Sequence, residues 1–174
     1  MKAASFTDSF WKRIRADSDL LTNRLLNPRE AVSSVKLLIG SRMANVRLLG
    51  LAVQAYCTYL NFGETQAYQV QLALVEAVTN AIIHAYDGQP GQEVEVMVTL
   101  RPQCLSFLVV DRGRPWPVMN LKPLEFDPRV SRLPEAGMGL VLTHRVMDRV
   151  EYRRVGETNI LTMDKHFTPH QPPA

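Results

Sequence analysis

Cysteine is scarce: Cys57 and Cys104 are the whole supply in 174 residues, far apart and each within an apolar stretch. At most one disulfide is available, and two buried, reduced thiols is the preferred reading. No window approaches the roughly 18 consecutive apolar residues of a bilayer-spanning helix. The N-terminus, MKAASFTDSFWKRIRADSD, lacks the continuous apolar core of a signal peptide. The expectation is a soluble, cytoplasmic protein that does not engage a membrane. Charge of a single sign is missing too. Lys and Arg total 20 against 17 Asp and Glu, a net charge of +3. That surplus is too small to imply nucleic acid, although it suits an anionic ligand or an acidic partner. His144, His166 and His170 show no metal-ligand spacing with either cysteine. There is no GxSxG, no evident Ser/His/Asp set and no GxxxxGK[ST]. Trp11 and Trp116 stand singly and form no base-stacking array. Internal repeats and low-complexity tracts are absent.

What is present is ordinary globular composition, 46% hydrophobic and 21% charged, enough for one domain with a proper core. Residues 1–33 are polar and mixed in charge, with Phe6, Phe10, Trp11, Ile14, Leu20, Leu21 and Leu25 dispersed among them. They read either as a flexible arm or as one or two short amphipathic helices that dock on this domain, a dimer mate or another protein. SSVKLLIGSR (33–42) reads as a strand. Residues 43–63 carry apolar residues at helical spacing and stop at Gly63, a candidate C-cap. A second helix spans 64–86 and ends in the turn chemistry of DGQPGQ. Two alternating runs, 93–101 and 104–111, form a hairpin through a short connection. Residues 112–138 hold Pro115, Pro117, Pro123, Pro128 and Pro134 with little periodicity. A loop of that length within a compact domain reads as functional, often a lid. A third helix spans 139–150, and VEYRR and TNILTMDKHF close the domain as a second hairpin. Residues 168–174 are a tail. The order predicts an α+β, two-layer sandwich, with helices covering one face of a mixed, mostly antiparallel sheet.

The second helix holds the first functional signal. In LVEAVTNAIIHAYDG, residues 74–88, Glu76, Asn80 and His84 recur every four residues and fall within about 80° of one another on the helix. A solvated face is the bland explanation. Against it, Asn and His are poorer helix formers than the Lys, Glu, Arg or Gln that such faces carry. Ala73 and Ala77 between them leave room for a close approach. The seam reads as a pocket wall suited to a nucleotide. An Asn carbonyl can ligate Mg²⁺, a Glu can accept a proton from an attacking hydroxyl, and a His can donate to a phosphate.

Two further pieces are weak alone. VVDRGRPW puts Asp111 at the end of a strand, where it can accept a hydrogen bond from an exocyclic amine. Gly113 would let a flat ring lie against the backbone, although Asp, Gly and Pro also make a plain turn. EAGMGLVLTHRV puts Gly137 and Gly139 directly before a helix, whose N-terminal amides can bind phosphate. This is no Rossmann fingerprint, since Leu142 stands where a third glycine would fall and no strand immediately precedes it.

In this order and spacing the three pieces resemble the N box (ExxxN), G1 box (DxG) and G2 box (GxG) of the Bergerat-fold, or GHKL, ATPases. That superfamily includes gyrase, Hsp90-type chaperones, histidine kinases and MutL. EAVTNAIIHAY, GMGLVLTHRVMDRVEY and LTMDKHF are similar to the small anti-sigma factor serine kinases of bacteria, of sporulation and general-stress type. The resemblance covers residues 34–167 and leaves 1–33 outside. It implies ATP and Mg²⁺ as cofactors. Asn80 would hold Mg²⁺, Glu76 would be the general base toward a protein serine, Asp111 would read adenine and Gly113 would support the ring. Gly137, Met138, Gly139 and Leu140 would form the phosphate end of a lid, with His84 near the phosphates. It implies phosphorylation of an anti-anti-sigma partner of STAS type, a sigma factor as a further partner, and a homodimer. The alternative is an anti-sigma or other partner-binding module that nucleotide shapes without phosphotransfer. Two departures stand out: Pro115 replaces a second glycine of the G1 box, and Trp116 follows it. Lys122, Arg129 and Arg132 are the lid cations able to touch a γ-phosphate. No phosphoacceptor-His helix is visible, so a complete histidine kinase is not expected.

Overall fold

A computed structural model describes residues 32–116 and 138–167. The strands are β1 (Ser33–Gly40), β2 (Glu93–Arg101), β3 (Cys104–Asp111), β4 (Arg149–Val155) and β5 (Thr158–His166). The helices are α1 (Met43–Tyr59), α2 (Glu64–Asn80) and α3 (Met138–Val146), with a π-helical turn at Ala81–Ala85 that continues α2. The sequence therefore predicts the order and kind of every described strand and α-helix, but not the π-helical turn.

The strands form one sheet in the order β1-β2-β3-β5-β4. All four pairings are antiparallel, so the expected mixed character is not seen among the described strands. The alternation in β2 and β3 decides which face is covered. Val94, Val96 and Val98 of β2 and Leu105, Phe107 and Val109 of β3 are buried with Leu161 and Met163 of β5. They meet Val46, Leu49 and Val53 of α1, and Val70, Ala73, Leu74, Ala77 and Val78 of α2. Those helical positions recur at three- and four-residue steps, the mark of a helix with one buried stripe. On the other face, Leu108, Val110 and Ile160 make a smaller cluster with Met97 and Val155. No described helix is long and apolar enough to cross a membrane.

Three boundaries differ from the sequence reading. Helix α1 ends at Tyr59, and Asn61 (φ 62°) supplies the left-handed residue expected of Gly63. Asparagine tolerates that conformation, and Gly63 instead precedes α2 as its N-cap. Helix α3 stops at Val146, four residues short of the predicted end. Asp148 N donates to Asp164 O at 2.9 Å, which turns the chain into β4. The second helix changes its winding at Ala81, where Tyr86 N reaches back five residues to Ala81 O at 3.2 Å. Most of the expected lid, with Lys122, Arg129, Arg132 and Gly137, lies outside the described residues, as do the arm (1–31) and the tail (168–174).

Candidate functional site

The N-box residues Glu76 and Asn80 are half-buried and one turn apart near the end of α2. His84 follows on the π-helical turn. The π-turn winds more widely than an α-turn, so a step of four residues no longer returns to the same face, and His84 is exposed. Such single π-turns often mark functional segments.

Helix α2 packs against α3, and at that seam Glu76 meets Gly139. A Cβ built on Gly139 would overlap the Glu76 carboxylate, lying 2.8 Å from its Cδ. Glycine at 139 is what lets the carboxylate lie against the first turn of α3. Thr143, fully buried one turn on, donates to Gly139 O at 2.9 Å and holds that turn together. The start of α3 at Gly139 therefore lies against the side chain of Glu76.

Asp111 ends β3 almost completely buried, at 1% exposure. Its Oδ1 accepts hydrogen bonds from Gly113 N (2.9 Å) and Asn159 Nδ2 (2.6 Å), and its Oδ2 accepts one from Trp116 Nε1 (3.0 Å). Burial pushes its pKa above the ordinary carboxylate value; those three hydrogen bonds and the nearby Arg154 charge oppose the rise without cancelling it. Asn159 faces Asp111 across the β3–β5 ladder and is itself fully engaged. Its Nδ2 also donates to Arg114 O (2.8 Å), and its Oδ1 accepts from Tyr152 OH (2.8 Å) and Arg154 Nη1 (2.6 Å).

Gly113 has a different immediate task from the one its motif suggests. A Cβ there would lie within 2.5 Å of the Ala85 carbonyl carbon, and the next amide, Arg114 N, donates to Ala85 O at 2.9 Å. The loop after β3 is thus pressed onto the π-turn. Tyr86 adds a second tie, its hydroxyl accepting from Arg112 N (2.9 Å) and donating to Glu93 O (2.8 Å). The Asp111 cluster joins one end of the α2 segment, at Ala85, and Gly139 joins it at Glu76. Nine residues separate the two ends, about 13 Å along a helix axis.

Asn159, Tyr152, Arg154 and Tyr86 were not singled out from the sequence. Only the register that sets Asp111 opposite Asn159 gives them meaning, and the sole local signal is a lone amide in the apolar run of β5. Among the described residues no group of three or more His, Cys, Asp or Glu could hold a metal. Mg²⁺ keeps much of its water and takes few protein ligands, and the Asn80 amide oxygen is the ligand that α2 would offer it.

An α+β sheet with a polar helix seam, a buried strand-end aspartate and a glycine-opened helix start defines an ATP-binding class of domain. Residues 39–165 match the histidine kinase-like ATPase domain, and the chain belongs to that family. Among its relatives is the serine-protein kinase RsbW of Bacillus cereus (strain ATCC 10987 / NRS 248), 27% identical over 126 residues, which are 70% of this chain and 78% of the relative. The serine-protein kinase RsbW of Bacillus pumilus (strain SAFR-032) is 28% identical over 128 residues, 70% of this chain and 79% of the relative. A crystal structure of the RsbU and RsbW domains of Rv1364c from Mycobacterium tuberculosis shares the fold, with a TM-score of 0.56 at 12% identity. That match covers 78% of this chain but 32% of the larger one.

Proposed function

We propose that residues 34–167 form an ATP- and Mg²⁺-dependent serine/threonine kinase of anti-sigma type. Its substrate would be a STAS-like anti-anti-sigma protein in a partner-switching circuit, with a sigma factor as the competing partner and a homodimer as the working form. The observation that carries this reading is the contact between Glu76 and Gly139. In it a carboxylate lies against the helix start that would receive phosphate, on the same helix as the candidate metal ligand Asn80. The names of the RsbW relatives support the reaction class.

In this reading Asp111 and the loop at Gly113 receive the base, and the N-terminal amides of α3 receive the phosphates. Asn80 holds Mg²⁺, which would neutralise charge at the transferring phosphate. Glu76 takes the proton of the partner's serine hydroxyl as its oxygen bonds the γ-phosphorus. The bond from that phosphorus to the bridging oxygen breaks, and ADP leaves. Positioning and charge stabilisation account for most of the catalysis in such transfers. His84, exposed on the π-turn, is at most a peripheral phosphate contact in this reading.

The test is transfer of labelled γ-phosphate from ATP to a purified STAS-domain substrate. Glu76→Ala is expected to abolish transfer while largely sparing nucleotide binding; retained transfer removes Glu76 as the base. A wild-type protein that binds ATP, changes its affinity for the STAS protein, and transfers nothing supports the non-catalytic binding module instead.

A further inference from the structure

Trp116 is the residue of this region that the motifs leave unexplained. It is buried, 3% exposed, and its indole N–H donates to Asp111 Oδ2 at 3.0 Å. Its ring lies over Tyr152, with centroids 5.4 Å apart and planes 26° from parallel. Its backbone N donates to the same tyrosine's hydroxyl at 3.2 Å. A planar ring stacked on an aromatic, with one N–H directed at a buried carboxylate, satisfies the recognition chemistry of an adenine: a π-face to stack on and an acceptor for its exocyclic amine. The other oxygen of the carboxylate is already committed to Gly113 N and Asn159. Asp111 therefore offers Oδ2 to the base, and in this structure the indole holds it.

We infer that Trp116 is an internal stand-in for the base: its indole N–H holds the adenine-reading acceptor of Asp111 and must leave for nucleotide to bind. This rests on the reading of Asp111 as the base acceptor. Its purpose follows from the carboxylate's surroundings. An unpartnered oxygen on a buried carboxylate is costly, and the indole donor removes that cost at Oδ2. The same hydrogen bond then competes with the ligand, so apparent affinity is reduced by the fraction of molecules in which the indole is in place. Pro115 stiffens the backbone next to the ring, so release is expected to displace the backbone around Trp116 and not the ring alone.

The experiment is calorimetric titration of Mg-ATP into the wild type, Trp116→Phe and Trp116→Ala. It is paired with the tryptophan emission of a Trp11→Phe protein, in which Trp116 is the single tryptophan. Trp116→Phe keeps a stacking ring without the N–H and guards against a folding defect in the alanine variant. A competing hydrogen bond to a charged acceptor corresponds to about tenfold in affinity. Both variants are therefore expected to bind Mg-ATP about tenfold more tightly than wild type, and saturating Mg-ATP is expected to red-shift Trp116 emission. Unchanged or weaker binding in both variants, or emission that does not move at saturation, overturns the stand-in while leaving the Asp111 site intact. No binding to any of the three proteins overturns the base-site reading together with it.

Discussion

At the scale of single residues, the site depends on two places where a side chain would collide and one where a charge is buried. Gly139 is glycine because Glu76 occupies the space of a Cβ. Gly139→Ala must displace the Glu76 carboxylate, and misplacing a catalytic group by about 1 Å costs on the order of 10²-fold. Phosphotransfer is expected to fall by that factor with a smaller change in Mg-ATP affinity, read by comparing turnover with calorimetry. Asn80→Ala should do the reverse, weakening Mg-ATP binding first; unchanged affinity removes Asn80 as the metal ligand.

Asp111 makes a pH prediction with a defined sign. Burial raises its pKa in the folded state, so the folded protein binds its proton more readily than the unfolded chain does. Its contribution to stability is therefore largest below the unfolded carboxylate value of about 3.9 and declines as pH rises through the folded value. Base recognition runs the other way, because a protonated carboxyl is a poorer acceptor for an amine. Mg-ATP affinity should begin to fall on acidification while the pH is still above the ordinary carboxylate range. Asp111→Asn should bind weakly at every pH and lose that dependence. A flat affinity profile in the wild type, followed down to the ordinary carboxylate range, contradicts the assignment.

At the scale of elements, the junction between the π-turn and the loop after β3 would fix the base end of the proposed site. Gly113→Ala puts a Cβ into the Ala85 carbonyl, and backbone cannot move aside as a side-chain tip can. Overpacking of this kind costs about 1–3 kcal/mol, visible as a lowered Tm even without nucleotide. The sequence could not show this packing role of Gly113, because its closest neighbour is supplied by a helix 28 residues earlier. The same limit hid Asn159 and Tyr152, whose roles depend on strand register. The spacing of Glu76 and Asn80 was legible because the helix is regular up to them, whereas the winding changes at Ala81 and sets exposed His84 on a π-turn that no α-helical spacing rule describes.

At the scale of the whole molecule, alternation in β2 and β3 and the stripes of α1 and α2 were enough to specify a helix layer on one face of an antiparallel sheet. Helices α1 and α3 shifted at their ends, where local chemistry decides. The core that results is closed: Cys57 lies within it and burial pushes its thiol up to about 12. A thiol reagent at pH 8 should therefore label Cys57 only as fast as the fold opens, and far more slowly than in denaturant. Labelling at the rate of a free thiol contradicts the packing. Added Mg-ATP should slow the reaction further, since a ligand that binds only the folded state stabilises it by mass action.

The central claim is that Asp111, Glu76, Asn80 and the start of α3 make one ATP site whose base is chosen through its amine. The most direct measurement is a calorimetric comparison of Mg-ATP with Mg-ITP, which carries a carbonyl where adenine carries the amine. The account predicts binding of ATP and a loss of about tenfold or more for ITP, as expected when a hydrogen bond to a buried charged group is removed. Equal affinity for the two nucleotides, or no binding of either, would contradict it.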